Sequence, residues 1–334
     1  MTAYSLYVQI ADITIRINSE QKCDIDDLGA FFKYHRVSPV LQPECVVVLK
    51  RQASFRLPQD AKILWTSKRH GFKEPDGKHI KRRICISTES NIIKLASCYL
   101  SQERGEYYYS LMRDNSWICY NPSTQRIRFI IHQPPKRKNS PYAGLTSPMT
   151  AILLLLHVIT TGHSRFIVHG AAVNIAGRAS LFLGESGSGK STLSICLAQQ
   201  NVAFMGDDLV LVYLKDNIPM VGALVLPAKL YIDNNKEKTN VDVPETMQVG
   251  YCLSAPLSAV YSVQQTSAFE SSVEPLFASE LLHQLIEASN GMMMQYDKQQ
   301  WLHTLYAVSE QIPYFLFHFG DPSGLNISSL NIHG

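Results

Sequence analysis

The first 132 residues contain runs in which apolar and polar side chains alternate, a pattern typical of half-buried β-strands. Period-two stretches cover Ser5–Ile17, and shorter apolar or β-branched runs follow them. These runs are Cys45–Leu49, Arg83–Ser87, Tyr107–Met112, Trp117–Tyr120 and Arg126–Ile131. The residues Asn121–Thr124 (NPST) predict a turn that joins the last two runs as a hairpin. The pattern therefore predicts a mostly β domain over residues 1–132.

A segment rich in proline and basic residues, Gln133–Tyr142 (QPPKRKNSPY), predicts a linker over residues 133–145. Beyond it, strand-like runs alternate with helix-like periodicity. We predict strands at Phe166–Asn174, Ala179–Leu183, Leu209–Tyr213, Ala223–Leu226, Lys229–Ile232 and Tyr314–Phe319, and helices at Ser147–Thr160, Ser191–Gln200, Ser279–Ser289 and Lys298–Gln311. This alternation favours an α/β catalytic domain over residues 146–334.

Length and composition exclude several classes of protein. With 334 residues, 46% of them hydrophobic, the chain fits two globular domains and not a disordered protein. The longest apolar run, Met149–Ile159, is shorter than the ~20 residues of a membrane span, so we expect no membrane partner. The seven cysteines have no zinc-site spacing, and their odd number and wide separation favour a reduced, cytoplasmic environment.

The two halves of the chain carry opposite charge. Residues 1–150 contain 23 Lys and Arg against 13 Asp and Glu, whereas residues 151–334 contain 8 against 15. Either the two domains attract each other, or the basic half binds an acidic partner such as a peptide or a nucleic acid. The aromatic residues of the basic half follow no RNA-recognition motif, which argues against nucleic acid. The sequence leaves open whether the chain forms a homo-oligomer.

The most specific motif is Gly184–Ser191 (GESGSGKS), which fits the phosphate-loop pattern GxxxxGK[ST] in full and lies between a buried strand and a helix. Its glycines allow successive backbone N–H groups to face an anion at a helix N-terminus. Lys190 supplies positive charge to the β- and γ-phosphates, and the Ser191 hydroxyl is a hard ligand for Mg²⁺. We therefore expect ATP and Mg²⁺ as cofactors. The predicted nucleotide-binding residues are Gly184, Glu185, Ser186, Gly187, Ser188, Gly189, Lys190, Ser191 and Thr192.

Two adjacent carboxylates, Asp207 and Asp208, follow the helix at a strand boundary (MGDDLV). We place Asp207 with Ser191 in the metal site, as a Walker-B acid, and either aspartate can take the proton from an attacking hydroxyl. Side chains of neighbours point to opposite sides of an extended strand, so the two acids divide these roles if the stretch is extended. His169, at the end of RFIVH, is a candidate to orient or tune the base or to contact a phosphate, and the alternative is a structural histidine.

The run FIVHGAAVNIAGRASLFLGESGSGKSTL, followed by MGDDLVLV, resembles the catalytic domain of HPr kinase/phosphorylase and of HPr-kinase-related proteins. The order and spacing of the motifs match from His169 to Asp208, with a looser match over Phe166–Ile232. The resemblance implies a P-loop core of the phosphoenolpyruvate-carboxykinase type. It also implies that Lys190 stabilises the transferred phosphoryl group, that the acidic pair includes the base for a serine hydroxyl, and that His169 is the family's histidine beside that pair.

Two departures from the family pattern bear on the acceptor. The loop continues Lys-Ser-Thr instead of Lys-Ser-Glu, and Pro219–Lys229 contains no Glu or Asp where the family has a metal-binding glutamate. Both argue against HPr as the substrate and against a phosphorylase reaction. The chain is similar in style to HPr-kinase-like enzymes that phosphorylate a serine of a ribosomally made peptide, such as a lasso-peptide precursor.

We therefore predict an ATP-dependent kinase whose partner is a peptide or small protein bearing a serine. Two alternatives remain. In the first, a nucleotide-dependent ATPase or switch hydrolyses ATP and produces a conformational state. In the second, a kinase acts on a small-molecule hydroxyl.

Overall fold

The computed structural model describes residues 4–52, 54–66, 95–111, 116–132, 163–231, 238–267, 270–290, 298–322, 325 and 330. The chain divides into two compact units. The first comprises Met1–Gln9 and Ile13–Gly162, and the second comprises Ile10–Asp12 and His163–Gly334. The predicted linker over 133–145 and the predicted helix Ser147–Thr160 lie outside the described residues. The predicted domain boundaries therefore stay predictions.

An eight-stranded sheet makes up most of the first unit, consistent with a mostly β region. Its strands are β1 (Tyr4–Ile10), β2 (Ile13–Ser19), β3 (Cys45–Gln52), β4 (Lys62–Thr66), β5 (Leu95–Ser101), β6 (Glu106–Leu111), β7 (Trp117–Asn121) and β8 (Arg126–His132). They lie in the order β1-β2-β3-β8-β7-β6-β5-β4. The predicted hairpin joins β7 and β8, which are antiparallel with Trp117 opposite Ile130. The predicted strand Arg83–Ser87 lies outside the described residues.

A helix that the pattern did not predict, α1 (Lys22–Phe31), connects two parallel strands of this sheet. Parallel neighbours need a crossover connection, and α1 provides it between β2 and β3. Asp24 in its first turn is fully buried, and it accepts hydrogen bonds from the Ser19 hydroxyl at 2.8 Å and from the Arg51 guanidinium. The buried carboxylate is therefore both paired and hydrogen-bonded, as burial of a charge requires.

The buried His35 ring makes the stability of the first unit depend on pH. The ring is fully buried, its Nδ1 lies 3.1 Å from the Gln9 carbonyl oxygen, and burial lowers its pKa to about 4. As pH falls, the His35 ring of the unfolded chain takes up a proton near its ordinary pKa of ~6.5, whereas the ring of the folded chain stays unprotonated until lower pH. Acid therefore favours unfolding. We expect His35 to account for a loss of about 2 kcal/mol between pH 7.5 and 5.

Urea unfolding at the two pH values measures this loss. The control is His35→Asn, because asparagine keeps an N–H near the Nδ1 position and does not titrate. The variant should lose less stability than the wild type between the two pH values. An equal loss in both proteins would contradict the prediction.

A nine-stranded mixed sheet forms the centre of the second unit. Its strands are β9 (Phe166–His169), β10 (Ala171–Ile175), β11 (Arg178–Leu183), β12 (Ala203–Gly206), β13 (Leu209–Lys215), β14 (Ile218–Ala223), β17 (Ser254–Gln265), β18 (Ser272–Leu276) and β19 (Tyr314–Phe319). The main path is β12-β10-β11-β17-β14-β13-β9, and β19 pairs with β17 and β18. A separate ribbon pairs β15 (Ala228–Tyr231) with β16 (Lys238–Val241).

The second unit is α+β, with a mixed sheet and few helices, whereas the sequence predicted α/β alternation. Among the described strands of its nine-stranded sheet, only the β11–β17 and β17–β19 pairs are parallel. Two tight turns explain much of this result: Ala176-Gly177 joins β10 to β11, and Asp216-Asn217 joins β13 to β14. All four residues have positive φ, which matches the two-residue turns that return a strand antiparallel to itself.

Within the described residues of this unit, four helices accompany the sheet: α2 (Lys190–Ala198), α3 (Val243–Met247), α4 (Ala278–Asn290) and α5 (Lys298–Gln311). Leu193 and Leu197 of α2 pack on a buried aromatic layer from β11, β17 and β19. In that layer the rings of Phe182 and Tyr261 lie 5.6 Å apart, and Tyr261 and Phe317 meet edge to face at 6.1 Å. This packing fixes the helix whose first turn carries the predicted phosphate site.

Two negative findings concern the described part of the chain. No helix in it combines the length and the apolar character needed to cross a bilayer. The six cysteines within it are free thiols, namely Cys23, Cys45, Cys98, Cys119, Cys196 and Cys252.

Candidate phosphate and carboxylate site

The predicted phosphate loop lies at the carboxyl end of β11, between Leu183 and the first residue of α2. Gly184, Gly187 and Gly189 have φ values of 141°, 88° and 98°, a region that residues with a side chain rarely adopt. Gly189 is the N-terminal cap of α2 and is itself left-handed. The sequence therefore places glycine where the backbone needs it, and the loop ends at the N-terminus of a helix, the end that favours anions.

Two of these glycines lie so close to neighbouring strands that a side chain would not fit. A Cβ at Gly184 would lie 2.9 Å from the carbonyl oxygen of Val263 on β17, and one at Gly189 would lie 2.8 Å from the ring of Phe319 on β19. The strand β17 is parallel to β11, and β19 is parallel to β17. The loop thus sits over the carboxyl ends of three parallel strands, the edge where ligands bind in open α/β sheets.

The Lys190 side chain folds back on the loop. Its Nζ donates hydrogen bonds of 2.8 Å to the carbonyl oxygens of Gly184 and Glu185, and the residue is only 6% exposed. The ammonium group is thereby fixed beside the backbone that would surround a phosphate. The Ser188 Oγ is also buried here, with no hydrogen-bond partner among the described residues.

The remaining loop residues differ in exposure. Glu185, Ser186, Gly187 and Thr192 are exposed, whereas Ser191 is half-buried. The nine predicted binding residues are consecutive in the chain and form the loop and the start of α2. Their role in nucleotide binding stays a prediction.

The second half of the site lies at two places where the chain leaves one strand and enters a distant strand of the same sheet. We call these places strand changes. The strand predicted at Phe166–Asn174 is broken at Gly170, where the chain passes from β9 at one end of the main sheet path to β10 near the other. Asp207 and Asp208 form the second strand change, which connects β12 at the far end of this path to β13 beside β9. A sheet whose opposite ends are joined by one or two residues must curl until those ends meet. The two strand changes therefore lie side by side.

Asp207 and Asp208 occupy a tight turn and not an extended stretch. The N–H of Leu209 donates to the Asp207 carbonyl oxygen at 2.8 Å, and Asp208 between them has φ of 66°. This is a γ-turn with a left-handed central residue, a strained conformation in which aspartate is better tolerated than most residues. The alternation of extended side chains therefore does not divide the roles of the two acids.

Both strand changes meet at the carbonyl oxygen of Asp208. The Gly170 N–H donates to this oxygen at 3.3 Å, and the His169 Nδ1 lies 3.0 Å from it. Burial lowers the pKa of the half-buried His169 ring, the Lys190 charge lowers it further, and Asp208 opposes both. The ring is thus neutral at neutral pH.

Asp207 is the carboxylate that faces the phosphate loop. Burial and, second, the charge of Asp208 raise its pKa to about 6, and the nearby Ser191 hydroxyl and Lys190 charge act in the opposite direction. Its Oδ1 is buried and has no hydrogen-bond partner among the described residues. Such an unpartnered carboxylate oxygen beside a serine hydroxyl fits a hard cation such as Mg²⁺, which binds one or two protein carboxylates together with substrate phosphates.

No group of three or more His, Cys, Asp or Glu side chains suited to a metal occurs among the described residues.

Three positioning features of the site were not predicted from the sequence. Val263 and Phe319 lie far from the motif in the chain and reach it only through the pairing of β11, β17 and β19. Gly170 is required because a Cβ there would lie 2.7 Å from the carbonyl oxygen of Phe182. The glycine next to His169 was the one visible signal, since an isolated glycine in a strand pattern suggests close approach of another backbone.

No family model matches the chain. No curated protein matches it either. Among solved structures, the chain is similar to that of the Hpr(Ser) kinase/phosphatase from Coxiella burnetii, with 14% sequence identity and a TM-score of 0.27. The match covers 46% of this chain and 85% of that chain. A likeness this distant identifies no shared family, so the resemblance of the motifs stays a prediction.

Proposed function

We propose that this chain is an ATP- and Mg²⁺-dependent kinase that transfers the γ-phosphoryl group to a serine hydroxyl of a peptide or small protein. The observation that carries the proposal is the proximity of Asp207 to Ser191 and Lys190 of the loop, both of which act on its pKa. It joins a glycine-rich loop with a fixed ammonium group to a pair of carboxylates. An anion cradle beside two acids is the combination that phosphoryl transfer needs.

Each side chain has a distinct task in this mechanism. The loop N–H groups and Lys190 bind the phosphates and balance the charge of the transferred group. Ser191 and Asp207 would hold Mg²⁺, which when bound neutralises charge on the phosphate oxygens. With Asp207 assigned to the cation, Asp208 is left to orient the acceptor. The serine oxygen forms a bond to the γ-phosphorus, its proton passes to the Asp208 carboxylate, and the bond to the β-phosphate oxygen breaks to release ADP.

The acceptor class rests on the motif resemblance and on the charge of the first half. A net positive charge favours an acidic peptide segment near the acceptor serine. Of the 23 basic residues in 1–150, 12 lie in 67–94, 112–115 and 133–150, outside the described residues. Acidic flanks are therefore a hypothesis to be tested with peptides of different charge.

A direct assay tests the proposed function. The full chain is incubated with Mg²⁺ and ATP together with synthetic peptides that carry one central serine and acidic, neutral or basic flanks. Mass spectrometry detects phosphopeptide, and a parallel assay detects free phosphate. We expect one phosphate on the serine, preferentially in the acidic peptides.

Other outcomes would overturn this assignment. Free phosphate without phosphopeptide favours the nucleotide switch, whereas phosphorylation only of small alcohols favours the small-molecule kinase. No ATP binding at all would refute all three functions.

A pair of glycine variants tests the loop separately from the acceptor. Gly187 in the loop and Gly177 in the β10–β11 turn have φ of 88° and 87°, and no described atom lies within 4 Å of a Cβ added at either. Alanine at either position should therefore cost a similar ~1–2 kcal/mol of backbone strain. Only Gly187→Ala should weaken ATP binding, by about tenfold or more, because only that backbone faces the phosphates. Calorimetry measures the affinity and urea unfolding the stability. Equal ATP affinities in the two variants would contradict the loop assignment.

A further inference from the structure

Two nitrogen atoms, one from the backbone and one from a side chain, converge on the carbonyl oxygen of Asp208. Gly170 donates its backbone N–H to it, and the His169 ring places Nδ1 at 3.0 Å. His169 stands opposite Leu209 in the β9–β13 register, so the ring projects from the strand residue paired with the neighbour of Asp208. The pairing of β9 with β13 therefore fixes the position from which the His169 ring reaches the Asp208 carbonyl.

The geometry determines which ring nitrogen carries the proton. A carbonyl oxygen can only accept a hydrogen bond, so Nδ1 must be the donor. In the neutral ring Nε2 then has no proton, and Nδ1 is not available to remove one from a substrate. The charged groups that act on the ring are Lys190, which disfavours a positive ring, and Asp208, which favours it.

We propose that His169 is a positioning residue that holds the Asp208 turn through its Nδ1–H group. The turn is strained at Asp208, and a strained backbone persists only where the surrounding structure fixes it. Two donors on one carbonyl fix the peptide plane after Asp208, and this in turn fixes the direction of the Asp208 side chain. This inference rests on the proposed function for the role of Asp208, but the hydrogen bond itself can be observed without any reaction.

Two substitutions separate the ring nitrogens. Asparagine places its amide N–H near the position of Nδ1, whereas glutamine places its amide near the position of Nε2. If His169 acts through Nδ1–H, His169→Gln and His169→Ala should lower kcat for phosphoryl transfer by about 100-fold, because a small misplacement of a reacting group has an effect of that size. His169→Asn should recover at least about tenfold of that loss. The KM for ATP should change little in all three variants.

Nuclear magnetic resonance supplies a readout that does not depend on turnover. We expect ring nitrogen shifts of the wild type at neutral pH to show Nδ1 protonated and Nε2 bare. The carbonyl carbon of Asp208 should keep its shift in His169→Asn and move in His169→Gln and His169→Ala, because only the last two remove the donor. Activity is measured with the serine peptide that the wild type phosphorylates best.

The outcomes distinguish this proposal from the proposed function. A wild type that phosphorylates nothing refutes the kinase, while the nuclear magnetic resonance result still decides the hydrogen bond. A proton on Nε2, or an Asp208 carbonyl shift that is the same in all variants, overturns the positioning role. Recovery of kcat by glutamine instead of asparagine also overturns it and assigns the chemistry to Nε2.

Discussion

Lys190→Ala should lower phosphoryl transfer by at least about 10³-fold, the scale on which fixed positive charge acts in phosphoryl transfer. The Nζ is held by two loop carbonyls, so its position beside the phosphates is set before any ligand binds. Removal of the ammonium group takes away charge stabilisation and also releases the Gly184 and Glu185 carbonyls. We therefore expect weaker ATP binding together with the lost turnover. Phosphate transfer and ATP affinity are measured on the same preparation.

Arg178→Ala is the matched control for the Lys190 variant. Arg178 is an exposed cation at the opposite end of β11 from the loop, so its removal changes the net charge of the chain equally. It should leave turnover unchanged. If both variants lost activity alike, the effect would be one of net charge and the assignment of Lys190 would fail. Wild-type turnover in Lys190→Ala would refute it directly.

The parts of the site that the sequence predicted are those encoded by neighbours in the chain. The phosphate loop is specified by the residues Gly184–Ser191 alone, because left-handed glycines, a lysine and a helix start are all local features. The bounds of α5 and β19 also agree with the predicted helix and strand. In each of these cases the periodicity of a single element is sufficient.

The parts that the sequence could not predict depend on pairing between distant strands. β17 was not predicted, yet it pairs with β11, β14 and β19 and supplies the Val263 carbonyl that excludes a side chain at Gly184. The prediction of α/β alternation failed for the same reason, since antiparallel return depends on two-residue turns and on strands that the pattern did not reveal. The γ-turn at Asp208 likewise arises where two strand changes meet.

Asp208→Asn and Asp207→Asn should separate the two carboxylates by opposite signatures. Asparagine tolerates the left-handed conformation at position 208, so Asp208→Asn should fold and bind ATP normally while transfer falls by about 10²–10⁴-fold, the range of a lost general base. Asp216→Asn is the matched control, because Asp216 is an exposed aspartate with φ of 52° in the β13–β14 turn. It should keep both activities. Weak ATP binding in Asp208→Asn would contradict the assignment.

Asp207→Asn should instead weaken the Mg²⁺ dependence of ATP binding and make the protein more stable at pH 8. Its pKa is raised to about 6 by burial and by Asp208, so the folded chain holds a proton that the unfolded chain has released near pH ~3.8. The stability from this group is present below that value and is lost as pH rises through about 6. At pH 8 the ionised carboxylate therefore costs roughly 3 kcal/mol, which asparagine removes. Urea unfolding without nucleotide measures this gain, and a loss of stability in Asp207→Asn would show that the carboxylate has a structural role and does not await a cation.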